Sequence, residues 1–238
     1  MTDDAATEAF ERLAEIAIGR ASLYRFLSES FRDPNIESVG AIRSGAAVAG
    51  IGETIAWLGG DVVVFNESLD MLGNTAEELK DQDLPTILRD LKVEYARLFI
   101  GSPRALVHPF ASMQQANPKG AERLLSVGRS VQSVEAMYTD AGIGLVAEIH
   151  EPPDHISTEL EFLYFLCEKE AEAWAESDNE TARDWRSRQR TFVDEHLEEW
   201  GIRFFEAVIE VTSRDYYRSL ATFGKVFLRM ESGAFRPS

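Results

Sequence analysis

The sequence predicts an all-α fold: a single bundle-like chain of about eight to ten helices, arranged in two halves joined by an acidic, proline-rich hinge. Three observations carry that reading. Apolar residues recur at steps of three, four and seven along most of the chain, and glycine or proline interrupts the pattern at intervals about one helix long. The one β-branched run, Val62-Val63-Val64-Phe65, is isolated and has no second strand to pair with.

Phe10, Leu13, Ala17, Tyr24, Leu27 and Phe31 make one stripe on a helix from about Thr7 to Phe31, closed by Asp33-Pro34. Between Gly40 and Gly60 the glycine density and mixed periodicity give a poor helix signal, and Val62 to Phe65 reads as a short buried linker. A second helix is expected over Glu67 to Leu79. A third runs from Pro85, a favourable first-turn residue, to Phe99, and Gly101-Ser102-Pro103 stops it. Residues 104–118 are loop-like, long for an idle connection. Helical patterning returns from Gly120 to Ala141.

Gly142-Ile143-Gly144 then breaks the pattern and marks the expected boundary: an N-terminal helical part over 1–141, a hinge loop over 142–153 and a C-terminal helical part over 154–238. Beyond it helices are expected over Asp154 to Ser177, Thr181 to Leu197, Ile202 to Val211 and Asp215 to Met230, with short connections.

Composition narrows the function. Acidic residues number 41 against 24 basic ones, a net charge of −17. Such a field repels nucleic acid and anionic membrane surfaces and favours cationic partners such as a basic peptide. Acidity of this kind also serves plain solubility or adaptation to a salty cytosol. The single Cys167 permits neither an intrachain disulfide nor a cysteine zinc site, and its neighbours Phe162, Leu163, Phe165 and Leu166 predict a small buried hydrophobe. Met1-Thr2-Asp3-Asp4 lacks the basic, apolar pattern of a leader, and no run approaches a membrane span; a cytoplasmic location with no stable membrane association is expected.

The densest chemistry lies in Glu151-Pro152-Pro153-Asp154-His155-Ile156-Ser157-Thr158-Glu159. The prolines hold the chain extended, Asp154 is a candidate helix cap, and His155 and Glu159 fall four apart on one face. A capped helix with a solvated histidine explains the same spacing. An acidic setting is expected to raise the His155 pKa toward neutrality. No phosphate-binding loop, dinucleotide fingerprint or nucleophile turn occurs, and His155-x-x-x-Glu159 does not match the Glu-x-x-His pairs of helical di-iron sites. Neither a metal nor another cofactor is expected. His108, His150 and His196 read as local hydrogen-bonding residues.

Four blocks, in order, carry a family resemblance: Glu94-Tyr95-Ala96-Arg97-Leu98-Phe99-Ile100-Gly101 with Pro109 and Ser112; Glu151-Pro152-Pro153-Asp154-His155; Phe192-Val193-Asp194-Glu195-His196-Leu197-Glu198-Glu199-Trp200; and Tyr216-Tyr217-Arg218-Ser219-Leu220-Ala221. Together they resemble the TorD/DmsD/NarJ family of cytoplasmic redox-enzyme maturation chaperones. Gly201-Ile202 departs from the proline that usually follows the third block, and residues 40–65 match nothing in the family pattern.

The resemblance implies a non-catalytic chaperone that binds the twin-arginine signal peptide, and the precursor behind it, of a molybdenum-cofactor oxidoreductase of the DMSO reductase family, assisting folding, cofactor insertion and export. A peptide with two guanidinium groups and an apolar stretch needs carboxylates beside an apolar groove. Glu151, Asp154, Glu159, Pro152 and His155 are the candidate hinge contacts; Tyr95, Phe99, Pro109 and Phe110 are the candidate groove. Tyr95 and Phe99, four apart, also fit a plain core pair, and Arg97 is expected to pair with Glu94 or Asp90. A helical adaptor for a folded partner and a nucleotide-processing enzyme are the competing readings. A homodimer formed by swapping the halves at the hinge is allowed, and no residue identifies the client.

Overall fold

Asp33-Pro34-Asn35 ends one helix and begins the next, because proline cannot continue the first and the Asn35 side chain accepts from the backbone N–H groups of Glu37 and Ser38 at 2.9 Å. The flanking helices are α1 (Thr2–Ser30) and α2 (Ile36–Arg43), followed by α3 (Ala46–Trp57) and α4 (Val62–Leu79). Asp83 caps α5 (Leu84–Tyr95), with Pro85 in its first turn. A π-helical turn, Ala96–Ile100, extends α5 up to Gly101. The remaining helices are α6 (Ala111–Gln114), α7 (Ala121–Asp140), α8 (Ile156–Ala175), α9 (Asn179–Phe192), α10 (Glu198–Val211) and α11 (Asp215–Phe235). A second π-turn, Val193–Leu197, joins α9 to α10. This computed structural model describes residues 2–58, 62–101, 104–114, 121–143 and 152–235.

The expected all-α architecture holds, with two differences in the segment of weak signal. Residues 40–60 hold the second half of α2 and all of α3, and Val62 to Phe65 is the first turn of α4 and not a buried linker. Val63 and Val64 are 76% and 55% exposed, while Phe65 is buried. A β-branched residue loses side-chain freedom in a helix, but the cost is a fraction of a kcal/mol, about 0.5 per residue, which burial of Phe65 against Phe223 outweighs.

α1 lies along α8, α8 against α9, α10 against α11, and α11 against α4. One hydrophobic core therefore runs through both of the expected halves: Tyr24, Leu27 and Phe31 of α1 share it with Phe65, Leu163, Phe204 and Phe227. Phe31 alone meets Phe99, Phe204 and Phe205 with ring centroids 5.4 to 6.4 Å apart. Truncating such a residue to alanine costs about 3–5 kcal/mol. Gly224 brings α11 close to α10: a Cβ there would lie 2.7 Å from Cζ of Phe205.

A buried polar cluster ties four of these helices. Arg20 of α1 donates from Nε to both oxygens of Glu231 of α11 at 3.0 Å and from a terminal nitrogen to Glu170 of α8 at 3.2 Å. Tyr24 donates to Glu231, and Trp174 and Gln189 donate to Glu170. Charges this deep persist only when paired and hydrogen-bonded, as these are. Cys167 is buried beside them as the sequence predicts, its thiol pushed up to about 12 by desolvation. Among the described residues no helix is long and apolar enough to cross a membrane.

Candidate functional site

The acidic Pro-Pro-Asp-His segment meets the loop after α5 and fastens it by backbone bonds. The Phe110 and His155 backbones form an isolated antiparallel bridge. Ala111 N–H donates to the Asp154 carbonyl at 2.9 Å, and Ile156 N–H donates to the Pro109 carbonyl at 2.8 Å. Tyr138 of α7 donates to the Pro153 carbonyl at 2.7 Å. The segment thus holds α6, α7 and the start of α8 together. Pro152 and Pro153, lacking N–H groups, leave no donor unsatisfied in this turn.

The cap of α8 is His155 and not Asp154. Nδ1 of His155 accepts the Ser157 N–H at 3.2 Å and lies 2.7 Å from the Ser157 hydroxyl. Asp154 instead accepts the Ser112 N–H at 3.2 Å, across the junction. Both residues are buried, and the His155 ring stands edge to face with Phe110 at 5.3 Å. Its pKa moves opposite to the expectation: burial, helped by the Arg32 charge, pulls it down to about 4, and Asp154 and Glu159 are engaged by Ser112, His196 and Trp200. Arg32 itself pairs with Glu161.

Glu159 is the largest departure from the sequence reading. It is wholly buried, and its oxygens take His196 Nε2 at 2.8 Å and the Trp200 indole N–H at 3.0 Å. Desolvation pushes it up to about 7 against the pull of those two partners. It does not line a groove; it joins α8 to the π-turn and α10. Helical spacing puts His196 and Trp200, four apart, on one side. The sequence blocks containing all three residues were legible, but not their convergence.

The proposed groove aromatics divide. Tyr95 and Phe99 are each 6% exposed and stack edge to face at 5.1 Å, a core pair and not a groove wall. Pro109 is buried, Phe110 half-buried and Pro152 exposed. Glu151 and His150 lie outside the described residues, as do residues 144–149 of the hinge. Arg97 pairs with Glu94 at 2.7 Å, as expected, and Glu94 also accepts from the Thr212 hydroxyl and from the Ser213 N–H and hydroxyl. Burial pulls the Glu94 carboxyl up, but Arg97 and these donors outweigh it and bring it to about 2. Among the described residues no cluster of three His, Cys, Asp or Glu side chains is placed to hold a metal ion.

A family model described as the nitrate reductase delta subunit matches residues 65–206, a span that includes the Glu94, Asp154, Glu159 and His196 contacts. The chain is 30% identical to a chaperone protein TorD from Aliivibrio fischeri over 142 residues, covering 60% of this chain and 62% of that one. It is 23% identical to a perchlorate reductase assembly chaperone protein from Dechloromonas aromatica, covering 90% of this chain and 92% of that one. Its fold is similar to the crystal structure of a putative redox enzyme maturation protein from Archaeoglobus fulgidus, with a TM-score of 0.51 and 24% identity, over 88% of this chain and 93% of that one.

Proposed function

The chain belongs to the nitrate reductase delta subunit family, the TorD-like redox-enzyme maturation chaperones, and from that premise we propose that it binds the precursor of a molybdenum-cofactor oxidoreductase in the cytoplasm. In this reading it engages the twin-arginine signal peptide and holds the precursor through folding and cofactor insertion until export. It works by binding and not by turnover. The observation that carries the reading is the family match across the helical scaffold, joined to relatives whose names are assembly chaperones. The strong negative charge supports it, since two guanidinium groups are drawn to such a surface.

Burial and hydrogen bonding support a division of roles within the candidate set. Asp154, His155 and Glu159 act as positioning residues: their polar atoms are already engaged within the protein. Contact with a peptide at this end falls to Pro152 and Phe110, on the surface that the buried residues hold in shape, and Glu151 is kept as a candidate from the sequence. Pro109 supports that surface through its bond from Ile156, while Tyr95 and Phe99 belong to the core with Phe31, Phe204 and Tyr217. A homodimer made by exchanging the helices beyond 142–153 would preserve the α1 and α8 contact between chains, and light scattering on the purified protein reads its mass directly.

The test is capture of bound proteins by the tagged chain from its native cytoplasm, with identification by mass spectrometry. One molybdoenzyme precursor still carrying its twin-arginine signal is the expected catch. Equal capture after deletion of that signal would assign the chain to an adaptor for the folded client. Nucleotide turnover by the pure protein would overturn the non-catalytic reading.

A further inference from the structure

Both α1 and α3 precede the family match, and between them the surface opens into a groove of about 510 Å³. Glu15, Ile18 and Gly19 line it from α1, and Glu53, Thr54 and Trp57 from α3. Gly19 sets its depth: a Cβ there would lie 3.1 Å from Leu58 Cδ2 and 3.4 Å from Thr54 Cγ2. Ile18 is 54% exposed and Trp57 37%, so two large apolar side chains of the lining are partly open to solvent. The Thr54 hydroxyl donates to the Gly50 carbonyl at 2.7 Å, and that of Ser22, also in the lining, donates to the Ile18 carbonyl at 3.0 Å. With its hydroxyls turned onto their own helices, the floor presents methyl groups and an indole.

The walls are acidic. Glu15 and Glu53 rise from opposite helices; Glu53 has no ion pair among the described residues, and Glu15 has only a long, exposed contact with Arg12 at 3.9 Å. Arg12 lies 4.0 Å over the Trp57 ring and donates to the Trp57 carbonyl at 2.9 Å, so the indole is held in place before anything binds. An apolar trough between two carboxylates complements an apolar segment flanked by cations.

We propose that this groove docks an apolar segment of the client polypeptide that is flanked by arginine or lysine. The proposal rests on the reading of the chain as a precursor-binding protein and gives that reading a second contact surface, away from the Asp154 and His155 junction.

The probe is a fluorescein-labelled synthetic peptide with two adjacent arginines followed by a leucine and alanine run, titrated with the full chain by fluorescence anisotropy. Charge reversal in E15K/E53K and burial of a charge in I18D are each expected to weaken binding about tenfold or more. Thermal melts of these surface variants are expected to match the wild type. A peptide with glutamine in place of both arginines is expected to be indifferent to E15K/E53K. Wild-type affinity in either variant, or no binding to the wild-type chain, overturns the groove assignment. Capture of the signal-bearing precursor decides the broader reading separately: variants that capture it as strongly as the wild type leave that reading standing and place the contact elsewhere.

Discussion

Oε1 of Glu159 lies 2.8 Å from Nε2 of His196, with the Glu159 side chain wholly buried. The same carboxylate takes the Trp200 indole, so one side chain in the first turn of α8 fixes both the π-turn after α9 and the start of α10. Three residues that a local reading assigns to a binding face and a late helix form one internal joint.

Removing the carboxylate at that joint leaves the buried Trp200 N–H and the His196 ring nitrogen without their shared partner. Glu159→Ala is therefore expected to cost about 3–5 kcal/mol, whereas Glu159→Gln keeps an acceptor for Trp200 and is expected to cost under about 2. Urea unfolding of both variants checks the order; equal losses would refute the joint.

The pH dependence follows from two opposed shifts. With its folded pKa raised to about 7, the Glu159 contribution is full below its ordinary 4.5 and is lost as pH rises through 7. With its folded pKa depressed to about 4, the His155 contribution is full above its ordinary 6.5 and is lost as pH falls toward 4. Each spans about 3 kcal/mol, so the wild-type curve is nearly level between 4.5 and 6.5. Glu159→Gln removes one slope, and its stability is expected to climb by about 3 kcal/mol from pH 4 to 6.5. A level curve for this variant in urea titrations at several pH values would show that His155 is not held neutral.

Glu94 governs the acid limb. Its depressed carboxyl contributes stability above pH 4.5 that is lost as pH falls toward 2. Because its partner Arg97 is 40% exposed and the pair is screened, about 1–2 kcal/mol is expected. Glu94→Gln should flatten acid unfolding monitored by circular dichroism over that window, and an unchanged midpoint would exclude the role.

Two glycines of α11 separate packing from propensity. Gly233→Ala meets nothing within 4 Å and is expected to stabilise by about 0.5–1 kcal/mol. Gly224→Ala drives a methyl into the buried Phe205 ring and is expected to destabilise by about 1–3 kcal/mol. Thermal denaturation of the pair reads both signs.

Most of the fold was legible where apolar residues keep a regular stripe and a breaker closes it, as at Phe31 before Asp33-Pro34 or Phe99 before Gly101. The segment from Gly40 to Phe65 was not, because alanine and glycine give a stripe too weak to see, and α3 is held by packing on α4 and α2 with α1 close by at Gly19. Arg97 with Glu94 was readable because the two are one turn apart. Glu159 was misread because its partners lie 37 and 41 residues away, and local spacing says nothing about what packs over a helix start. His155 was misread for the same reason: charge near in sequence suggested a raised pKa, and burial reversed it.

Arg20 and Glu231 are separated by 211 positions. At roughly 5–20 residues per second of synthesis, the first helix waits about 10–40 s for the carboxylate that completes its ion pair. Until then its guanidinium lacks the bidentate partner of the finished fold. A chain that ends before α11 would therefore lack both Glu231 and Phe227, the charge and the ring that meet Arg20 and Tyr24 on the first helix.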